Sequence, residues 1–159
     1  MFSDPLVEKL AAFVRHIGID VQAATLPEPT VLPGLDIRYG AVLVDESRLL
    51  NPGDVLHEAG HIAVSDPAVR RQPRLSPTGG EELSTIAWTF AAARHLGLAI
   101  ELFFHERNFQ GEGAALAENF NEGRYIGVPL LQLHGMTVDP GMTAARGVAP
   151  FPHMLRWLR

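Results

Sequence analysis

Asn51-Pro-Gly-Asp-Val-Leu-His57-Glu58-Ala-Gly-His61-Ile-Ala-Val64 sets two histidines four residues apart, with a glutamate directly after the first. On a helix this spacing puts both imidazoles on one face, one turn apart, where their neutral nitrogens can hold two of the four positions around a tetrahedral zinc ion. Glu58 then lies about 100° round the helix, beside such an ion rather than on it. A carboxylate there can take a proton from zinc-bound water. The helix start is signalled too: Asn51 is a good N-cap, Pro52 suits the first helical position, and Asp54 falls in the first turn, where the macrodipole favours an acid. Val55, Leu56, Ala59, Ile62 and Ala63 make most of this helix apolar, so it is expected to be buried, and buried histidines flanking a glutamate need partners. A metal supplies them. The competing reading is a chance motif with two surface histidines, which the chain's own histidine and glutamate frequencies make rare.

The chain has no cysteine, so the remaining ligand must be His, Asp or Glu. Thr78-Gly-Gly-Glu81-Glu82-Leu-Ser-Thr-Ile-Ala-Trp-Thr-Phe-Ala-Ala-Ala-Arg-His-Leu96, closed by Gly97, reads as a helix with two adjacent acids in its first turn. Leu83, Ile86, Ala87, Phe90 and Arg94 fall along one stripe, and Thr78 with Glu81 three residues later has the form of a capping box. With Leu83 at the centre of that stripe, Glu82 projects to its flank near Ile86, whereas Glu81 projects nearly opposite and has the cap to serve. Glu82 is therefore the preferred third ligand and Glu81 the alternative. An acid in a first turn is favourable without any metal, which is the plainer reading of both.

Upstream, residues 4–17 space Leu6, Leu10, Phe13, Val14 and Ile17 as an amphipathic helix that begins at Ser3 or Asp4 with Pro5 and stops at Gly18. Ile19 to Ala23 suits a short strand. Pro27, Pro29, Pro33 and Gly34 make an extended connector that cannot be helical. Leu35 to Tyr39 and Ala41 to Asp45 read as a strand pair around Gly40, leading into the HExxH helix, and the edge of such a sheet can pair with an extended peptide. Ser65 to Gly80, with three prolines and a glycine pair, is long for an idle loop and reads as a functional rim.

With 159 residues, 47% of them hydrophobic, the chain has the size of one domain spanning 1–159. A net charge of −5 gives no general attraction for nucleic acid, and Arg70, Arg71 and Arg74 form too short a cluster to reverse it; they read as a solvated loop. The N-terminus lacks a basic region followed by an apolar run, and no stretch of 18 apolar residues occurs, so a soluble cytoplasmic protein without membrane attachment is expected.

In the last third, Ile100 to Phe104 is an apolar strand or helix ending in His105. Ala114 to Asn121 reads as a short helix closed by Gly123, Tyr125 to Leu133 is broken at Gly127 and Pro129, and Phe151 to Leu158 suits a terminal helical turn with Trp157. Hydrolysis of a peptide would call for a donor to the developing oxyanion, and His105, Tyr125 and His134 are the candidates. Each also fits a polar tip at the edge of the core. His95 and His153 read as structural. Glu112, Glu118 and Glu122 could hold a second metal, although a solvated helix face is the simpler account.

His57-Glu58-Ala-Gly-His61, followed some twenty residues later by Glu81-Glu82 opening an Ala-rich helix with Ala87-Trp88 and Phe90-Ala-Ala, resembles the gluzincin zinc metallopeptidases. In small size and in strand-helix-helix order it is similar to minimal gluzincins, including the ImmA/IrrE-type regulatory peptidases. The resemblance covers residues 35 to 96. It implies an α+β, zincin-like fold with a small twisted sheet packed on the HExxH helix and a glutamate-bearing helix after it. It also implies His57, His61 and Glu82 as zinc ligands, Glu58 as general base, and a peptide or protein substrate. The acidic-Ala-Asn signature usual after the third ligand reads Leu83-Ser84-Thr85 here. Val64 and Pro67 stand where metzincins carry a glycine and a third histidine. The rival expectation is an inactive regulatory or interaction module that keeps the metal for structure, its fourth position closed by His105 or His134.

Overall fold

A computed structural model of the chain describes residues 1–27, 29–142 and 147–159; Glu28, in the proline-rich connector, lies outside the described residues. Among the described residues the chain is α+β, with five α-helices and one three-stranded mixed sheet. It divides into two compact units, Met1–Pro77 and Thr78–Arg159.

In the first unit, helix α1 (Pro5–His16) begins where Asp4 Oδ1 accepts the backbone N–H groups of Leu6 and Val7, at 2.7 and 3.3 Å. Its apolar stripe of Val7, Leu10, Ala11, Phe13 and Val14 is buried. The backbone N–H groups of Ser3 and Asp4 donate to the Glu46 carboxylate, tying the start of the chain to the loop that precedes the HExxH helix. Strand β1 (Asp20–Ala23) runs parallel to β3 (Ala41–Val44), and β3 pairs antiparallel with β2 (Leu35–Arg38), giving the order β1-β3-β2. Tyr39 and Gly40 make the β2–β3 turn with φ of 52° and 77°, the double positive φ that a two-residue hairpin of the right twist requires.

Helix α2 (Asp54–Val64) carries the HExxH motif and packs on β2, β3 and α1. Regular helix starts two residues later than the Pro52 expected from sequence. Asn51 does not cap it; the side-chain amide of Asn51 donates instead to Asp54 Oδ2 at 3.4 Å, and tight turns through residues 51–54 lead in. Val55, Leu56, Ala59, Ile62 and Ala63 are wholly buried, as their apolarity implied, and full burial of a side chain such as Leu56 contributes about 1.5–3 kcal/mol.

In the second unit, helix α3 (Gly79–His95) opens on the expected capping box. Thr78 Oγ1 accepts the Glu81 N–H at 3.2 Å, and the Glu81 carboxylate accepts the Thr78 N–H at 2.8 Å. The single apolar stripe expected of this helix is not what is found: Ser84 through Ala93 are buried all round, while Arg94 is exposed. The helix tolerates this because Ser84, Thr85 and Thr89 return their hydroxyls to the carbonyls of Gly80, Glu81 and Thr85, so no hydroxyl goes unsatisfied on a buried face.

A 3₁₀ turn (Ile100–Leu102), helix α4 (Gly113–Asn121) and helix α5 (Val128–Leu133) follow, with α5 packed on α3. Ile100 to Phe104 is thus neither strand nor α-helix. Phe90, Phe120, Tyr125 and Phe151 stack at centroid separations of 4.8–6.5 Å to form this unit's aromatic core. The helical turn expected at Phe151 to Leu158 is absent. Met154 bridges Thr137 in antiparallel fashion, and Trp88 Nε1 donates to the Trp157 carbonyl at 3.0 Å, so the tail satisfies its backbone with partners distant in sequence. Among the described residues, no helix is long and apolar enough to cross a membrane.

Candidate metal centre

The four-residue spacing on α2 turns both imidazoles to the same point. The Nε2 atoms of His57 and His61 lie 3.1 Å apart, and the rings meet nearly perpendicular, at 85°. Two nitrogens bound to one tetrahedral zinc at ordinary bond lengths stand about 3.3 Å apart, so the observed spacing fits a shared ion. One ligand atom from each of His57, His61 and Glu82 lies within 4.8 Å of the other two, close enough to bind a metal ion. His61 is buried, at 8% exposure, and His57 and Glu82 are half-buried. Glu82, not Glu81, belongs to this group, and Glu81 is occupied with the helix cap.

The C-terminal end of α2, just beyond His61, is held by Arg70. Its guanidinium donates to the carbonyls of Ile62, Ala63 and Ser65 at 3.0, 3.4 and 3.2 Å. Ser65 Oγ adds a hydrogen bond to the His61 carbonyl at 2.5 Å. A cation on the last carbonyls satisfies orphan acceptors and complements the macrodipole. Arg70 is therefore part of the helix that bears the histidines and not one of a solvated trio. The sequence signal was available: Arg70 stands six residues past the last helical residue, within reach of its carbonyls.

Glu58 and His61 open on a cavity of about 360 Å³ within the first unit. Its other walls are strand β2, connector residues 26–27 and 29–32, and residues 74–77 near the end of the segment expected to form a functional rim. That segment is carried to β2 by the Tyr39 N–H, which donates to the Gln72 carbonyl at 3.1 Å.

β2 is an edge strand, as a peptide-pairing surface would have to be, but its outward N–H groups already have acceptors. Leu35 donates to the Leu32 carbonyl, Ile37 to Asp36 Oδ1 at 2.9 Å, and Tyr39 to Gln72. A peptide that pairs there has to displace the Asp36 carboxylate, a local device that blunts the edge.

The three oxyanion-donor candidates belong to the second unit, and none joins the His57, His61 and Glu82 group. His105 is half-buried and accepts the Arg107 N–H on Nδ1 at 3.2 Å. Tyr125 sits in the aromatic core, 4.8 Å from the Phe151 ring. His134 ends α5, and its carbonyl accepts from Arg156 at 2.6 Å. His95 meets the Trp157 ring edge-on, consistent with a packing role. Glu112, Glu118 and Glu122 are exposed and form no further ligand trio among the described residues. Neither a family model, nor a curated protein, nor a solved structure matches this chain.

Proposed function

We propose that this protein is a zinc-dependent hydrolase, a metallopeptidase of gluzincin type on a minimal zincin-like fold, in which His57, His61 and Glu82 hold the ion. The observation that carries the reading is the convergence of the two Nε2 atoms at 3.1 Å beside Glu58, on a buried helix that opens on a cavity. Two imidazoles and one carboxylate are the donor set of a catalytic zinc, and a bound zinc supplies Lewis acidity towards a carbonyl and a lowered pKa for water.

Glu58 does the proton work. Its carboxylate lies on the cavity wall directly after one ligand, where it accepts a proton from the attacking water and delivers it to the departing amine nitrogen. The cavity offers the scissile segment a place beside Glu58, between β2 and the connector.

Elemental analysis of protein purified without added metal, followed by mass spectrometry of a peptide mixture incubated with it, tests the reading. One zinc per chain and new peptide termini are expected. Glu58→Gln should keep the zinc and lose hydrolysis, whereas His61→Ala should lose both. Absence of transition metal, with no change in melting temperature on adding zinc, overturns the site. Zinc without hydrolysis in the wild type points instead to the regulatory module.

A further inference from the structure

We infer that the cavity beside Glu58 carries a carboxylate subsite built on Arg74, so that the preferred peptides present an acidic side chain or a free C-terminus there. The inference rests on the peptidase reading and adds the substrate class. Among the described residues, four charged side chains line the cavity: Asp36, Arg38, Glu58 and Arg74. Arg38 is already engaged, its Nε 2.7 Å from Asp36 Oδ2, and the same carboxylate also accepts the Ile37 N–H. Glu58 is given to proton transfer. Arg74, exposed at the cavity's edge, makes no ion pair or side-chain hydrogen bond among the described residues.

A guanidinium recognises a planar anion through paired N–H donors. A monoanionic carboxylate matches the single guanidinium, whereas a phosphate dianion also meets the Glu58 carboxylate on the same wall.

Binding to the Glu58→Gln protein, which the proposed chemistry would leave unable to turn peptide over, separates this subsite from catalysis. Three tetramethylrhodamine-labelled peptides are compared by fluorescence anisotropy at low ionic strength. The first is Ala-Leu-Ala-Glu-Ala amide, the second its Gln counterpart as the amide, and the third that Gln counterpart with a free C-terminus. One of the two carboxylate-bearing peptides should bind roughly three- to tenfold tighter than the neutral amide, and the winner identifies the source of the carboxylate. Salt should shrink that advantage. Arg74→Gln should abolish it, and Arg74→Glu should shift preference to the peptide with Lys in place of Glu. Equal binding of all three peptides, binding of none, or a preference that survives Arg74→Gln overturns the subsite. A preference that Arg74→Gln removes, in a protein whose wild type hydrolyses nothing, leaves the subsite standing and removes the peptidase reading instead.

Discussion

The backbone N–H of Leu26 donates to Oδ2 of Asp45 at 3.0 Å, across 19 residues of chain. Asp45 Oδ1 accepts the hydroxyl of Ser47 at 2.6 Å, and the Asp45 N–H donates to the Gly34 carbonyl at 2.8 Å. Arg48 closes the arrangement by donating to the Leu26 carbonyl at 2.6 Å. One buried aspartate thus pins both ends of the connector between Leu26 and Gly34, whose body walls the cavity beside Glu58 and His61. Asp45→Ala leaves the Leu26 N–H and the Ser47 hydroxyl without their acceptor. The urea midpoint should fall, with Asp45→Asn in between because it keeps one acceptor oxygen. An Asp45→Ala midpoint equal to wild type would show that the connector does not depend on this clamp.

The same group sets an acid limit. The Ser47 hydroxyl first, and then the Leu26 N–H, hold the Asp45 carboxyl below its ordinary value of 3.8. The folded chain therefore binds fewer protons here than the unfolded chain does in the interval between the two values. The stabilisation is fully present above about pH 4 and is lost as the pH falls through the folded value. Melting curves from pH 6 down to 2.5 should show the gap between wild type and Asp45→Asn closing below about pH 4. A constant gap would place the effect elsewhere.

Glu82→Gln should lower zinc affinity by orders of magnitude, since a neutral amide replaces a charged oxygen ligand. Glu81→Gln should leave affinity near wild type and cost at most about 1 kcal/mol through the cap it makes with Thr78. Competition titration with a chromogenic zinc chelator reads both. Emptying of the site by Glu81→Gln alone would reverse the assignment.

Arg70→Ala strips three carbonyls at the end of α2 of a charged donor and should destabilise the protein by about 1–3 kcal/mol, measured by chemical denaturation. Arg70→Lys should recover only part of this, because a point charge cannot fork to three acceptors. Full recovery by lysine would mean that charge at the helix terminus, and not the fork, is what matters.

Gly127 has φ of +79°, and a Cβ there would run into the carbonyl of Leu83, the residue after Glu82. Gly127→Ala should cost more than about 1 kcal/mol in stability. If the start of α3 gives way to relieve the clash, zinc affinity should fall as well. A variant with unchanged melting temperature would show that the close approach is easily relaxed.

Much of the molecule is written in local signals. The His57–His61 spacing, the Thr78–Glu81 box, the Tyr39-Gly40 turn, the Asp4 cap and the closing glycines at 18, 97 and 123 each depend on residues within one or two turns of each other. Their geometry follows from backbone sterics and helix period alone, and each is found where the sequence puts it. What the sequence left open depends on groups far apart along the chain. Asn51 has the composition of a cap, yet the lead-in turn gives its side chain to Asp54. α3 has the composition of a helix with one apolar stripe, yet it is buried on every side once α5 and the aromatic core surround it. The tail folds onto Thr137 and Trp88 instead of into a helix, since long-range partners for its backbone outweigh its weak local preference. Arg74 reads as one more solvated arginine until the Tyr39–Gln72 hydrogen bond brings its segment to β2, and no pattern within a short window encodes which wall of a cavity a loop residue will form.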